Sequence, residues 1–140
     1  VYTRIAASQL LLLAGMMILA SPHSGFAWEV TKESQIVAAS GKKAKVGTFH
    51  FMGKDCKPEG LPVIRLISSP REGIARSVEA KDYPTYPKKN ERYVCNTKKA
   101  PGMQVLYTSR RGYIGDDAFS YEVIWPSGNY SRYDVTIKVM

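Results

Sequence analysis

Phe119-Ser120-Tyr121-Glu122-Val123-Ile124-Trp125, then Pro126-Ser127-Gly128-Asn129, then Tyr133-Asp134-Val135-Thr136-Ile137-Lys138-Val139: this stretch decides the fold. Phe119, Tyr121, Val123 and Trp125 alternate with Ser120, Glu122 and Ile124, and Tyr133, Val135, Ile137 and Val139 alternate with Asp134, Thr136 and Lys138. Side chains on a pleated strand point to opposite faces in turn, so a period of two puts each first set on one face. The stretch therefore predicts a hairpin with one dry and one wetter face. Pro126 at its mouth places a strand end or a sheet edge there.

Upstream, turn residues punctuate further short runs. Ala44 to Met52 predicts a strand, carried by Val46, Thr48, Phe49 and Phe51. A loop rich in turn residues follows from Asp55 to Pro62. Val63 to Ile67 is a compact apolar strand interrupted by Arg65, and Ser68-Ser69-Pro70 with Gly73 marks a turn before a strand over Ile74 to Ala80. Pro84, Pro87 and the charged run Lys88-Lys89-Asn90-Glu91-Arg92 form a longer connection. Strand character returns at Tyr93-Val94-Cys95 and at Met103 to Thr108. Val30 to Ala39 fits a short helix or an entering strand, ended by Gly41. About seven short strands and no long amphipathic helix predict an all-β sandwich of two sheets.

The first 27 residues read as a cleavable export signal. Arg4 precedes an apolar run from Ile5 to Ala20, and Ser21 to Gly25 is polar and helix-breaking. Gly25 and Ala27 supply small side chains before Trp28. The apolar run is shorter than the roughly 20 residues a membrane span requires. The expectation is a signal over residues 1–27 and one domain over 28–140, periplasmic or secreted, with no stable membrane span after processing. The whole chain carries 20 basic and 12 acidic residues, a formal charge of +8. Removal of Arg4 leaves 19 against 12. Cys56 and Cys95 are the only cysteines, and in an exported chain they most simply form one disulfide. Free thiols and a metal or redox role are the alternatives, disfavoured by the absence of a Cys-x-x-Cys pair.

Val105-Leu106-Tyr107-Thr108, followed by Gly112-Tyr113-Ile114-Gly115-Asp116-Asp117-Ala118-Phe119-Ser120-Tyr121-Glu122-Val123, resembles the closing half of bacterial immunoglobulin-like or cadherin-like repeat domains. Their pattern is Gly-x-x-Gly-x-Asp-x-Phe-x-Tyr-x-Val after a tyrosine-bearing strand. Gly128 and Val135 to Val139 are similar to the later turn and last strand, and Ser69 to Ala75 to an earlier proline–glycine turn. The resemblance covers roughly 63–139. It implies an immunoglobulin-like β-sandwich used as a spacer, adhesion or carbohydrate-contact module. This chain departs from it in holding one copy, in adding the cysteine pair, and in a longer, more basic 83–99 region.

Independently of the resemblance, Gly112 and Gly115 permit tight turns. Asp117 is expected to accept local backbone hydrogen bonds and fix the turn before its strand, while Phe119 and Tyr121 fill the core. Asp116 and Asp117, with Asp134, are alternatively calcium ligands, although such a site wants six to eight oxygens.

Catalysis finds little support. His50 is the only histidine after the signal, and a triad needs a nucleophile and an orienting acid around it. One imidazole is too few for a copper or zinc sandwich enzyme. Glu72 and Glu79 are a nominal acid pair for glycoside hydrolysis, decided by their separation. No cofactor is expected. The basic clusters are Lys42-Lys43 with Lys45, Lys88-Lys89 with Arg92, Lys98-Lys99 and Arg110-Arg111, interspersed with Tyr83, Tyr86, Tyr93, Tyr107 and Tyr113. Basic and aromatic residues together suit single-stranded nucleic acid, but export removes that partner. The expected partners are an envelope polyanion, glycan or lipid, or a protein contacted through an exposed strand edge. The reading is a non-enzymatic exported binding or structural module; a small hydrolase is the competing class.

Overall fold

The computed structural model describes residues 31–140, so the expected signal over 1–27 and the domain start at residue 28 lie outside the described residues. Seven strands form two sheets: β1 (Thr31–Ala38), β2 (Lys43–Phe49), β3 (Val63–Ser68), β4 (Gly73–Asp82), β5 (Ala100–Ser109), β6 (Gly115–Ile124) and β7 (Tyr130–Val139). One sheet has the order β1-β7-β6-β3 and the other β2-β5-β4. All pairings are antiparallel except β1 with β7. The order β3-β6-β7 against β2-β5-β4 matches the C-F-G and B-E-D sheets of an immunoglobulin-type sandwich, with β1 added beside the last strand. The ambiguous segment before Gly41 is thus a strand.

The β6–β7 hairpin runs ten rungs, from Gly115 opposite Val139 to Ile124 opposite Tyr130. Its alternation is realised in the core: Phe119, Tyr121, Val123, Val135, Ile137 and Val139 are buried, with Val105 and Tyr107 from β5 facing them. Full burial of one such aliphatic side chain is worth about 1.5–3 kcal/mol. Aromatic rings run through this layer, with Tyr121 stacked on Tyr133 at 5.1 Å and Phe49 edge-on to Tyr133 at 5.1 Å. Arg65, the interruption in β3, lies opposite Glu122 and donates to its carboxylate through Nε at 2.9 Å. It points outward, so the apolar strand is intact on its inner side.

Two local readings are corrected. Tyr93-Val94-Cys95 is not a strand: Glu91–Thr97 is a 3₁₀ helix, begun by the Asn90 side chain accepting from the Arg92 backbone N–H at 2.9 Å. The residue types favour strands, but strand propensity expresses packing on a paired, half-buried surface, which this connection lacks. Asp117 lies within β6 rather than ahead of it, and its inward carboxylate reaches beyond its own turn. It accepts from Ala118 N–H at 2.9 Å, and also from Arg71 N–H at 2.9 Å, Glu72 N–H at 3.0 Å and the Tyr107 hydroxyl at 2.8 Å. The turn it fixes is chiefly the one between β3 and β4.

Gly112 and Gly115 do have positive φ, +80° and +143°. At Gly115 a Cβ would also stand 2.8 Å from the Tyr113 hydroxyl oxygen, which itself donates to the Asp116 carbonyl at 2.7 Å. Gly115→Ala is therefore expected to destabilise the domain by about 1–3 kcal/mol in urea unfolding. Gly112→Ala meets no atom within 4 Å and should cost less than Gly115→Ala.

Candidate functional site: a disulfide-tied loop end

Antiparallel connections alternate between the two ends of the sandwich. Residues 39–42, 69–72 and 110–114 lie at one end, and 50–62, 83–99 and 125–129 at the other. Ten residues of β5 set the ends about 30 Å apart by strand rise. The basic clusters are consequently divided. Lys42, Lys43, Arg110 and Arg111 gather at the first end, where Gly41 packs on Arg111. Lys88, Lys89, Arg92, Lys98 and Lys99 gather at the second.

The second end is built around a small satellite core. Met52, Cys95 and Ala100 are buried there, with Cys56 and Tyr86 packed against them. Cys56 and Cys95 form the expected disulfide, with 5.3 Å between their Cα atoms. It joins the β2–β3 loop to the 3₁₀ helix, outside the main sandwich core. Cys56 takes a φ of +63°, the only positive value at a non-glycine among the described residues. Further ties hold the connection down: Tyr86 N–H donates to Asn96 Oδ1 at 2.9 Å while Asn96 Nδ2 donates back to the Tyr86 carbonyl at 2.9 Å. Arg92 Nε donates to the Met52 carbonyl at 2.5 Å, so this candidate anion contact also serves as a strut. His50 is buried, and its Nδ1 lies 3.1 Å from the Pro101 carbonyl. Since a carbonyl only accepts, Nδ1 carries the proton in this contact.

Lys54 and Lys57 belong to the same surface, and the sequence reading left them out. They flank Cys56, and the disulfide brings that segment to Cys95, just before Lys98 and Lys99. Residues 50–62 and 83–99 together hold seven basic side chains against the three acids Asp55, Glu59 and Glu91. Two of those acids are already paired: Asp55 with Lys57 at 3.1 Å and Glu91 with Lys54 at 2.5 Å. The side-chain hydrogen bond and charge of the lysine hold each carboxyl below its ordinary value. Lys99 sits over the Tyr83 ring at 5.5 Å. Lys88, Lys89 and Lys98 make no ion pair among the described residues. Between the helix and the β2–β3 loop lies a cleft of about 470 Å³, lined by Met52, Pro58, Val94, Ala100 and Pro101 together with Asp55, Thr97, Lys98 and Lys99.

At the first end, Arg110 pairs with Glu72 at 2.8 Å and covers Tyr113 at 5.9 Å. A larger depression, about 1010 Å³, lies on the outer face of the four-stranded sheet near this end. Asp116, Asp117 and Glu72 line it, but they do not converge. Adjacent Asp116 and Asp117 point to opposite faces, Asp117 is occupied by four donors, and Glu72 is paired with Arg110. Burial pushes the Asp117 carboxyl up, yet those donors together hold it below its ordinary value. Asp134, the third calcium candidate, lies opposite Ser120, four rungs from Asp116, and pairs with Arg132 at 3.2 Å. Glu72 and Glu79 are separated by seven residues of extended chain, about 20 Å by strand rise, well beyond the spacing either glycosidase geometry uses. Among the described residues no three His, Cys, Asp or Glu side chains stand together as a metal site.

The described residues thus form an all-β sandwich module with one disulfide and no metal-ligating cluster among them. No family model matches the chain, and no curated protein matches it. Among solved structures, Solution Structure of Amebosin aligns with 80% of this chain and 98% of that one, at 8% identity and a TM-score of 0.40. A likeness of that degree carries no argument about this chain.

Proposed function

We propose that the chain is an exported, non-enzymatic binding module of the cell envelope, periplasmic or secreted, whose disulfide-tied loop end contacts anionic glycans or lipids. The observation that carries this reading is the gathering of seven basic side chains onto two loops stapled together by Cys56–Cys95. A predominantly basic surface held by a crosslink attracts polyanions at long range and loses less entropy on contact than a mobile one. The disulfide and the leader-like first 27 residues support export. The strand order and the Gly112–Val123 motif support kinship with immunoglobulin-like and cadherin-like repeats.

A second reading, a protein contact by strand addition, is favoured by β4. It pairs with β5 over ten unbroken rungs and, among the described residues, has no strand on its outer edge, with Ile74 and Val78 exposed.

Dextran sulfate binding, titrated with salt, tests the main reading. Lys88→Glu/Lys98→Glu/Lys99→Glu is expected to weaken binding by about tenfold or more and to flatten the salt dependence, because exposed charge contacts are screened over about 10 Å at 0.1 M salt. Lys42→Glu/Arg111→Glu should change it far less. Equal losses from both variants would show general charge attraction without a site. A partner retained unchanged at high salt would favour the β4 edge.

A further inference from the structure

We propose that the disulfide-tied loop end docks on an anionic phospholipid bilayer, with Val94 and Tyr93 entering the headgroup layer and the surrounding lysines meeting the phosphates. This rests on the polyanion reading and assigns its partner. The first observation is Val94 itself, 66% exposed at the end of the sandwich, with Tyr93 43% and Tyr83 50% exposed nearby. Val94 is held outward by the structure around it. A 3₁₀ helix repeats every three residues, so Arg92 and Cys95 share the inward side; one is bonded to the Met52 carbonyl and the other is in the disulfide. Fixing both inward turns Val94 toward solvent.

The second observation is the setting of that side chain. Glu91, one turn before Val94 on the same side, is neutralised by Lys54 at 2.5 Å. Lys88, Lys89 and Lys98 flank the helix without ion pairs among the described residues, and Lys99 lies on the Tyr83 ring. The 470 Å³ cleft that Val94 helps to line mixes apolar side chains with Asp55, Thr97, Lys98 and Lys99. A glycan polyanion would meet the lysines but gain nothing from an exposed valine, whereas a bilayer has a use for Val94 and for Tyr93. In an anionic bilayer shallow apolar insertion and lysine–headgroup attraction add at the interface, and tyrosine is at home there. The disulfide and the Tyr86–Asn96 bonds keep the tip ordered before contact.

Flotation with phosphatidylcholine vesicles, with and without phosphatidylglycerol, tests this against dextran sulfate as a soluble polyanion. The wild-type chain should float only with the phosphatidylglycerol-containing vesicles. Val94→Ser, a neutral change at an exposed position that should not disturb folding, is expected to weaken vesicle binding several-fold and leave dextran sulfate binding unchanged. Val94→Trp should bind both, with its emission shifted to the blue by the vesicles alone. If Val94→Ser binds vesicles as the wild type does, or if Val94→Trp shows no blue shift on bound vesicles, lipid docking is overturned and the polyanion reading stands. A chain that binds neither vesicles nor dextran sulfate overturns both.

Discussion

Replacing Asp117 by alanine is expected to lower the unfolding free energy by about 3–5 kcal/mol, the range for breaking a buried, multiply bonded charge. The substitution removes the common acceptor of three backbone N–H groups and the Tyr107 hydroxyl. Tyr107 is fully buried, so its hydroxyl has no water to turn to. Burial first, and the Asp117 carboxylate second, push that hydroxyl well above the ordinary tyrosine range, so it stays a donor at any physiological pH. Asp117→Asn should fall between wild type and alanine, because its amide keeps one acceptor but turns a second donor toward the N–H groups. Tyr107→Phe should cost about 1 kcal/mol, the usual worth of one hydrogen bond.

The same carboxylate makes stability depend on acid. Its folded value lies below the ordinary 3.8, so between the two values the unfolded chain binds more protons than the folded one. Its stabilising contribution is therefore complete above about pH 4 and is lost as the pH falls through the folded value. Asp82 adds to this acid limb: Lys45 at 2.7 Å, the Tyr83 N–H and Thr48 hold it down to about 2. Urea unfolding at descending pH should show a shallower acid loss in Asp117→Asn than in wild type. Parallel acid limbs in the two proteins would contradict the assignment.

The second large effect concerns the disulfide. Cys56→Ala/Cys95→Ala opens a loop of sequence separation 39 that contains β3 and β4. For a loop of that length the chain-entropy estimate is a loss of about 4 kcal/mol, much of a small domain's net stability. The damage should be uneven in the folded state. The main core, from Val105 and Tyr107 to Val139, makes no use of the bond, whereas the satellite core of Met52, Cys95 and Ala100 is assembled around it. Hydrogen exchange should accelerate most at residues 51–59 and 86–98. Uniform acceleration across β6 and β7 would place the disulfide in the wrong structural unit.

How much of this was legible depended on whether neighbours in sequence or neighbours in space decided the outcome. The β6–β7 hairpin could be read because apolar and polar residues alternate in both strands and each has its partner a turn away, although Ser120 and Glu122 on the outer side of β6 are buried as well. Arg65 was legible as an interruption but not as an outward partner of Glu122, 57 residues on. Tyr93-Val94-Cys95 misled because its residue types suit strands while its surroundings offer no strand to pair with. Asp117 was recognised as a turn acceptor, yet three of its four donors come from the β3–β4 turn and β5, which only the folded topology brings near. The candidate cations were all visible, but their division between two ends of the sandwich was not, because that follows from strand order. Lys54 and Lys57 are legible from the cysteines: pairing Cys56 with Cys95 by itself brings their segment to Lys98 and Lys99.

The central claim is that binding resides at one end of the sandwich, the end tied by Cys56–Cys95. Backbone amide shifts of the oxidised protein, followed during titration with dextran sulfate, test it most directly. Shifts are expected to concentrate at residues 54–58 and 88–99. Shifts centred on Lys42, Lys43, Arg110 and Arg111, or spread evenly over both ends, would contradict it.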